Sequence, residues 1–389
     1  MESVAVAGGS PLFARVSRRP LLVCYSHLRW NFVFQRPQHL LTRAAREYRV
    51  LYVEEPAEHA GQEPDWSLRS DKGVTVATPL LPPGLSHPMR ICLLEGLMTR
   101  LLMGEVPAVA WFYTPMALEF ARNLPAGVTV YDNMDELSLF VHADSRILQL
   151  ETELLARADI VFTGGNSLYE AKRHRHHNIH AVPSSIDVDH FRPNPARPQP
   201  EPAELAGIAR PRAGFFGVID ERMDMALLDA VSALRPDLQF VMVGPVVKID
   251  PATCPQRANI HWLGGRDYAD LPQHLHHWDC GIMPFALNDA TRFISPTKTP
   301  EFLAAGLPVV STPVRDVVNP YATLDLVRIG TTPAQFAHAI DLAIADAASP
   351  GWRRAVSAQL ATSSWDSTWA SMHGRIVEAV ESEVEYADA

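Results

Sequence analysis

The sequence predicts an α/β protein built from two Rossmann-like, doubly wound domains that face a cleft, with helices at the C-terminal end. Three observations predict it. The chain has 389 residues and is 47% hydrophobic, enough to fill two separate cores. Short apolar runs alternate with turns and helical stretches in both halves, the pattern of parallel sheets covered on each face. Between the halves the rhythm stops at a proline-rich segment.

Taken in order, residues 1–19 read as a loose extension. The first domain is expected over 20–191. Its strands are "LLVCY" (21–25), "RVLYVEE" (49–55), "AVAWFY" (108–113), "VTVY" (128–131) and "DIVFTGG" (159–165). Helical stretches such as "QHLLTRAAREY", "MALEFARNL", "ILQLETELLARA" and "SLYEAKR" stand between or after them. A linker is expected over 192–211, where "RPNPARPQPEPAEL" carries five prolines that suit neither helix interior nor central strand. The second domain, 212–350, repeats the alternation with "AGFFGVI", "LQFVMVG", "NIHWLG", "CGIMPF" and "PVVST". Residues 351–389 read as helices that pack back on the first domain.

The formal net charge of −10 argues against a general nucleic-acid binder, which needs a basic surface. The charge is uneven, however: residues 1–50 hold eight arginines against Glu2 and Glu47. That end suits an anionic substrate or peripheral contact with the inner face of a membrane, or else a solvated helix face. Cys24, Cys92, Cys254 and Cys280 are far apart, which suits reduced thiols and a cytoplasmic location rather than a disulfide framework or zinc site. No apolar run approaches the ~20 residues of a membrane span, and the N-terminus lacks a secretion-signal pattern.

Doubly wound sheets bind ligands beyond the carboxyl ends of their strands, so the residues just after each strand are the ones to inspect. The stretch "SPTKTPEFLAAGLPVVSTP" (295–313) is the most informative of these. Thr299 is expected as the N-cap of a short helix, with Pro300 at its first position and Gly306 ending it. The free amides of that helix, the hydroxyls of Ser295, Thr297 and Thr299, and the charge of Lys298 suit a phosphate. Lys298 is one of four lysines against thirty arginines. Glu301, in the first turn, either accepts hydrogen bonds from the vicinal hydroxyls of a ribose or merely completes the helix start. At "FFGVIDERMD" Gly217 permits close backbone approach, and Arg222 either clamps a diphosphate or lies on the surface beside Asp220 and Glu221. The glycine fingerprints of dinucleotide-binding and P-loop proteins are absent.

With these residues in view, the chain resembles a GT-B-fold glycosyltransferase. It is similar to the retaining nucleotide-sugar transferases of family four, and nearest to the teichuronic-acid-type cell-envelope branch. The resemblance rests on the 295–313 stretch and on "FTGGNSLYEAKR", "AVPSSIDVDHFRP", "YDNMDELSLF" and "FVFQRPQHLL". It implies that Glu301 binds the donor ribose and that Arg222 and Lys298 hold the diphosphate, with the 293–297 loop against phosphates and sugar. The family carries a second glutamate eight positions earlier; here that position is Phe293, and Asp289 is the candidate replacement. The family's first-half glycine pair is also missing. In its place "SHLRWNFVFQRPQHL" offers Trp30 for stacking on a sugar and Arg36 for an acceptor phosphate, each of them equally suited to packing or capping.

The resemblance implies transfer of a sugar from a nucleoside diphosphate to an acceptor hydroxyl with retention, in envelope or extracellular polysaccharide synthesis. The partners are then a nucleotide-sugar donor and a glycan or lipid-linked acceptor. No cofactor or metal is expected. The histidines of "HRHHNIH" and "HLHH" are expected mostly in solvent. Asp132, Asp135 and Glu136 are placed on the acceptor side of the cleft, with Asp135 chosen to orient or deprotonate the acceptor. Two alternatives stand beside this: a sugar-nucleotide epimerase of the same fold, or a non-catalytic scaffold that binds envelope precursors.

Overall fold

The structure, a computed structural model, describes residues 19–387, with side chains described as far as Glu381. The expected extension over 1–19 thus falls almost wholly outside the described residues.

The first sheet has nine strands: β1 (Leu21–Tyr25), β2 (Arg49–Val53), β3 (Ala57–Glu58), β4 (Asp65–Asp71), β5 (Val74–Leu81), β6 (Val109–Phe112), β7 (Val128–Asn133), β8 (Ile160–Thr163) and β9 (Ile179–Ala181). Their order is β3-β5-β2-β1-β6-β7-β8-β9, with β4 antiparallel on β5. All five residues of β1 are buried, as a strand covered on both faces requires. The second sheet contains β10 (Arg212–Phe216), β11 (Gln239–Val243), β12 (Ile260–Gly264), β13 (Cys280–Met283), β14 (Val309–Ser311) and β15 (Val327–Ile329). It is parallel throughout, in the order β12-β11-β10-β13-β14-β15. In each sheet the strand order reverses at the first strand: β1 lies between β2 and β6, and β10 between β11 and β13. Those two reversals fix where ligand crevices open.

The β4–β5 hairpin is not among the sequence expectations. Its two-residue turn is Lys72–Gly73, with φ of 48° and 83°, and Asp71 pairs with Val74 across it. Both turn residues are left-handed, which matches the twist of the flanking strands. Alternating residues on each side of that turn are the signal that the reading passed over.

Leu205 and Ile208, inside the proline-rich segment, are buried in the second core. Arg212 donates to the carbonyls of both, so this part of the linker is strapped to the second domain. The helix Pro350–Leu360 also stays there, burying Trp352, Val356 and Leu360. The expected return to the first domain at 351 therefore begins later. Only the helix Trp365–Ala387 crosses, inserting Trp365, Trp369, Met372 and Ile376 into the first core.

Candidate active site

At the carboxyl end of the second sheet, one glycine clears space for a lysine and a second lets the two strand ends close up. β10 ends at Phe216 and is followed by Gly217 at φ +121°; β11 ends at Val243 and is followed by Gly244 at φ +154°. A methyl on Gly217 would stand 2.3 Å from Lys298 Cε and 2.7 Å from its Nζ. One on Gly244 would stand 1.8 Å from the Gly217 carbonyl oxygen. The Lys298 side chain thus lies along bare backbone, its ammonium 5.4 Å from the Phe215 ring centre. Only glycine fits either position.

Lys298 opens the helix Lys298–Ala304, whose N-cap position is Thr297. This corrects the expected cap. Thr299 is wholly buried in the first turn, with its hydroxyl 3.6 Å from Met283 Sδ, so it faces the sheet and not a ligand. Pro300 has no N–H, the Thr299 amide donates to Pro296 and the Glu301 amide to Thr297. The helix end therefore offers few free donors, and the positive charge of the site comes from side chains.

Three cations supply it. Arg222 follows β10 and is held by a two-pronged pair with Asp220, from Nε at 2.9 Å and Nη2 at 2.7 Å, which leaves Nη1 outside the pair. Lys298 is the second. Lys248, in the turn after β11, is the third: its Nζ lies 5.0 Å from the Phe140 ring centre, and the Arg222 guanidinium lies 5.6 Å from the same ring. Phe140 belongs to the first domain, so an aromatic face reaches across to the cations of the second.

Glu301 is buried on the same helix, 8% exposed, and its carboxylate meets the Thr297 hydroxyl. Burial pushes the Glu301 carboxyl up, opposed by Lys298. Burial pushes Lys298 down, helped by Arg222 and opposed by Glu301, Asp220 and Asp135. A desolvated cation cluster of this kind is set for an anion that would restore the lost solvation. Ser295, Thr297, Lys298 and Glu301 line one wall of a cleft of about 1070 Å³ between the domains, with Asp135 and Gly164 of the first domain opposite.

Residues 210–346 match the family model described as "Glycosyl transferases group 1". Over 173 residues the chain is 27% identical to TuaH of Bacillus subtilis (strain 168), a candidate teichuronic acid biosynthesis glycosyltransferase. That match spans 44% of this chain and 42% of TuaH, less than half of the relative's length. The sucrose-phosphate synthase of Thermosynechococcus elongatus superposes with a TM-score of 0.70 at 14% identity, covering 94% of this chain and 100% of that one. An E. coli trehalose-6-phosphate structure with bound UDP-2-fluoro glucose superposes with a TM-score of 0.65 at 13% identity, covering 92% and 98%.

The fold is GT-B.

In this GT-B chain the group 1 match covers the whole of the second sheet and the three cations. The first domain contributes Asp135, which faces Arg222, Lys248 and Lys298; burial, and next Asp220, push its carboxyl up against their pull. Of the other expected acceptor-side residues, Trp30 and Arg36 line the cleft with their polar groups paired inside the first domain, and Asp132 and Glu136 are absent from its wall. Arg36 and Asp132 are 1% and 0% exposed and form a forked ion pair with contacts of 2.9 Å, while Arg36 Nη1 donates to the Val182 carbonyl. Asp132 lies inside β7, not after it. Trp30 is 3% exposed; its indole N–H donates to Asp71 at 2.8 Å and its ring packs edge-on against Tyr52. Glu136 pairs with buried Lys172 at 2.7 Å and accepts from Ser138. Asp289 is exposed in a one-turn helix and absent from the cleft wall.

Two residues near the site escaped the sequence reading. Lys248 sits in the rim after β11 and shares the lysine scarcity that singled out Lys298. His27 directly follows the β1 rim residue Ser26, and burial, with Lys248 adding to it, lowers its pKa to about 4, so it is neutral. Among the expected solvent histidines, His274 is instead buried and bonded to Glu204 at 3.1 Å. Among the described residues, no group of three or more His, Cys, Asp or Glu side chains is placed to hold a metal, and no helix is long and apolar enough to cross a membrane.

Proposed function

We propose that this GT-B protein transfers a sugar from a nucleoside-diphosphate sugar to an acceptor hydroxyl, with retention, in the synthesis of an envelope polysaccharide. The observation that carries the reading is the seat of Lys298: a cation laid on the backbone of Gly217 at a strand-order reversal, with Arg222 near it and a buried carboxylate one helical turn away. The group 1 match and the relative named for teichuronic acid synthesis support it.

In this reading the diphosphate lies between Lys298, Arg222 Nη1 and Lys248, and Glu301 takes the ribose hydroxyls. As the glycosidic bond breaks, negative charge gathers on the leaving diphosphate. Three cations in a partly desolvated site stabilise that charge more than the ground state. Asp135 faces them from the acceptor domain. Its raised carboxyl pKa suits a group that orients and accepts the acceptor proton, since proton transfer is best served by a pKa nearer the working pH. Trp30 and Arg36 line the same cleft from the first domain, and Asp135 is the acceptor-side carboxylate that faces the donor cations.

A thermal-shift panel of UDP, GDP, ADP and dTDP tests it. At 100 times Kd a true ligand adds about 2.7 kcal/mol of stability, a rise of several degrees. At least one diphosphate is expected to raise Tm, and Lys298→Ala or Arg222→Ala to cut the rise by at least about half. A panel with no response counts against nucleotide-sugar chemistry. Product formed from a donor with no acceptor present would favour the epimerase.

A further inference from the structure

Phe140 is a first-domain side chain set against two cations of the second. Its half-buried ring has its centre 5.0 Å from Lys248 Nζ and 5.6 Å from the Arg222 guanidinium carbon. Two cations held near one another repel, and the negative face of an aromatic ring offsets that repulsion without using their N–H donors. Arg222 has Asp220 as its counter-ion at 2.7 Å, whereas the Lys248 ammonium faces the ring and is paired with no carboxylate among the described residues. Lys248 also stands at φ +62°, a left-handed conformation that a side chain rarely takes.

Each side of this contact is braced within its own domain. In the second, the loops that carry Arg222 and Lys248 are zipped together: the Ile219 amide donates to the Pro245 carbonyl and the Val247 amide to the Ile219 carbonyl, each at 3.0 Å. In the first, Asn133 Nδ2 at the end of β7 donates to the Tyr131 hydroxyl at 2.8 Å and to the Asp135 carbonyl at 2.9 Å. Glu136 accepts from the Ser138 hydroxyl and pairs with the buried Lys172 ammonium, each at 2.7 Å. Lys172 in turn pairs with Glu151 of the helix Ile147–Arg157. The segment from Asp135 to Phe140 is therefore anchored to its own domain, and the ring at its end meets a second anchored pair of loops.

We propose that Phe140 is a positioning residue for the donor diphosphate: from the first domain it holds the Arg222 and Lys248 charges in place, so the grip of the second domain is complete only with the first domain against it. The proposal rests on the reading of these cations and Lys298 as the donor grip. A ring beneath a guanidinium leaves the N–H edges free, so Arg222 Nη1, outside the pair with Asp220, stays available to a phosphate oxygen. The same braced segment carries Asp135 into the cleft wall, so a donor that engages both cations also fixes where the acceptor-side carboxylate stands.

Calorimetric titration of the full chain with UDP and with inorganic diphosphate tests this in Phe140→Leu, Phe140→Trp, Lys248→Met and the double variant Phe140→Leu/Lys248→Met. Phe140→Leu keeps an apolar side chain and removes the π face; it is expected to weaken both ligands about fivefold. Phe140→Trp, which restores a π face, is expected to stay within about twofold of the wild type. In the Lys248→Met background, Phe140→Leu is expected to cost no more than about twofold, because ring and lysine act as one unit. Wild-type affinity in Phe140→Leu overturns the proposal, and so does a Phe140→Trp protein as weak as Phe140→Leu, since packing alone then explains the residue. Additive effects of the two substitutions overturn it as well. If neither ligand binds the wild type, the donor reading fails and the positioning role falls with it; coupled unfolding midpoints among the unliganded variants would then leave the ring as a domain contact alone.

Discussion

Gly217 carries the sharpest constraint at the scale of a single residue. Its φ of +121° excludes a side chain, and the space a methyl needs is filled by Lys298. Gly217→Ala is therefore expected to push the ammonium out of its seat and weaken nucleotide binding by about tenfold, the worth of one charge-assisted contact. Titration calorimetry checks it; unchanged affinity would mean that Lys298 does not hold phosphate. Lys298 also sets a pH dependence. Burial lowers its pKa from 10.5, and a bound diphosphate favours the charged form, so binding takes up a proton once the free ammonium has begun to titrate. Affinity should fall as pH rises through that lowered value, well before 10.5, and Lys298→Arg should remove the fall. An affinity flat to pH 10 in the wild type would contradict it.

Residues differed in how legible they were. Lys298 was found because lysine is scarce and because it precedes a helix at a strand rim. Arg36 and Asp132 stood among the candidates in sequence because both lie near strand ends, with packing or capping as the equal reading. What separates them is a contact between positions 36 and 132, 96 residues apart, and local pattern carries no information about such pairing. The Thr299 cap was misplaced by two positions because Thr297 and Thr299 are equally good caps in sequence. Burial against Met283 decides between them.

Among elements, strands and helices buried on a regular period were readable, and those fixed by pairing partners were not. The continuous apolar runs of β1 and β10 announce central parallel strands. In the hairpin, β4 is a half-exposed edge strand on a mostly buried β5, and its marks in sequence are the Lys72–Gly73 turn and the alternating residues beside it. The crossing helix Trp365–Ala387 depends on long-range packing. Trp369 is 3% exposed, its indole N–H donates to Glu47 at 3.2 Å, and its ring lies 6.4 Å from Trp111 in the first core. Trp369→Ala is expected to cost about 3–5 kcal/mol, as for other buried aromatics, and to lower the unfolding midpoint in urea. A loss below about 1 kcal/mol would show that the helix does not anchor to the first domain.

For the whole molecule, two sheets that reverse strand order at their first strand place two ligand rims across one cleft, and the second rim carries the cations. The fold class was legible from alternation and the proline break, because both are local. The direction in which each rim residue points was not. That depends on how the domains meet, at Phe140 with Arg222 and Lys248 and at Asp316 with Ser167. Calorimetric titration of UDP and the other nucleoside diphosphates into the wild type and Lys298→Ala measures the central claim most directly. The account predicts one saturable site in the wild type, weakened at least about tenfold by the substitution. No binding by any of them, or equal affinity in both proteins, would contradict it.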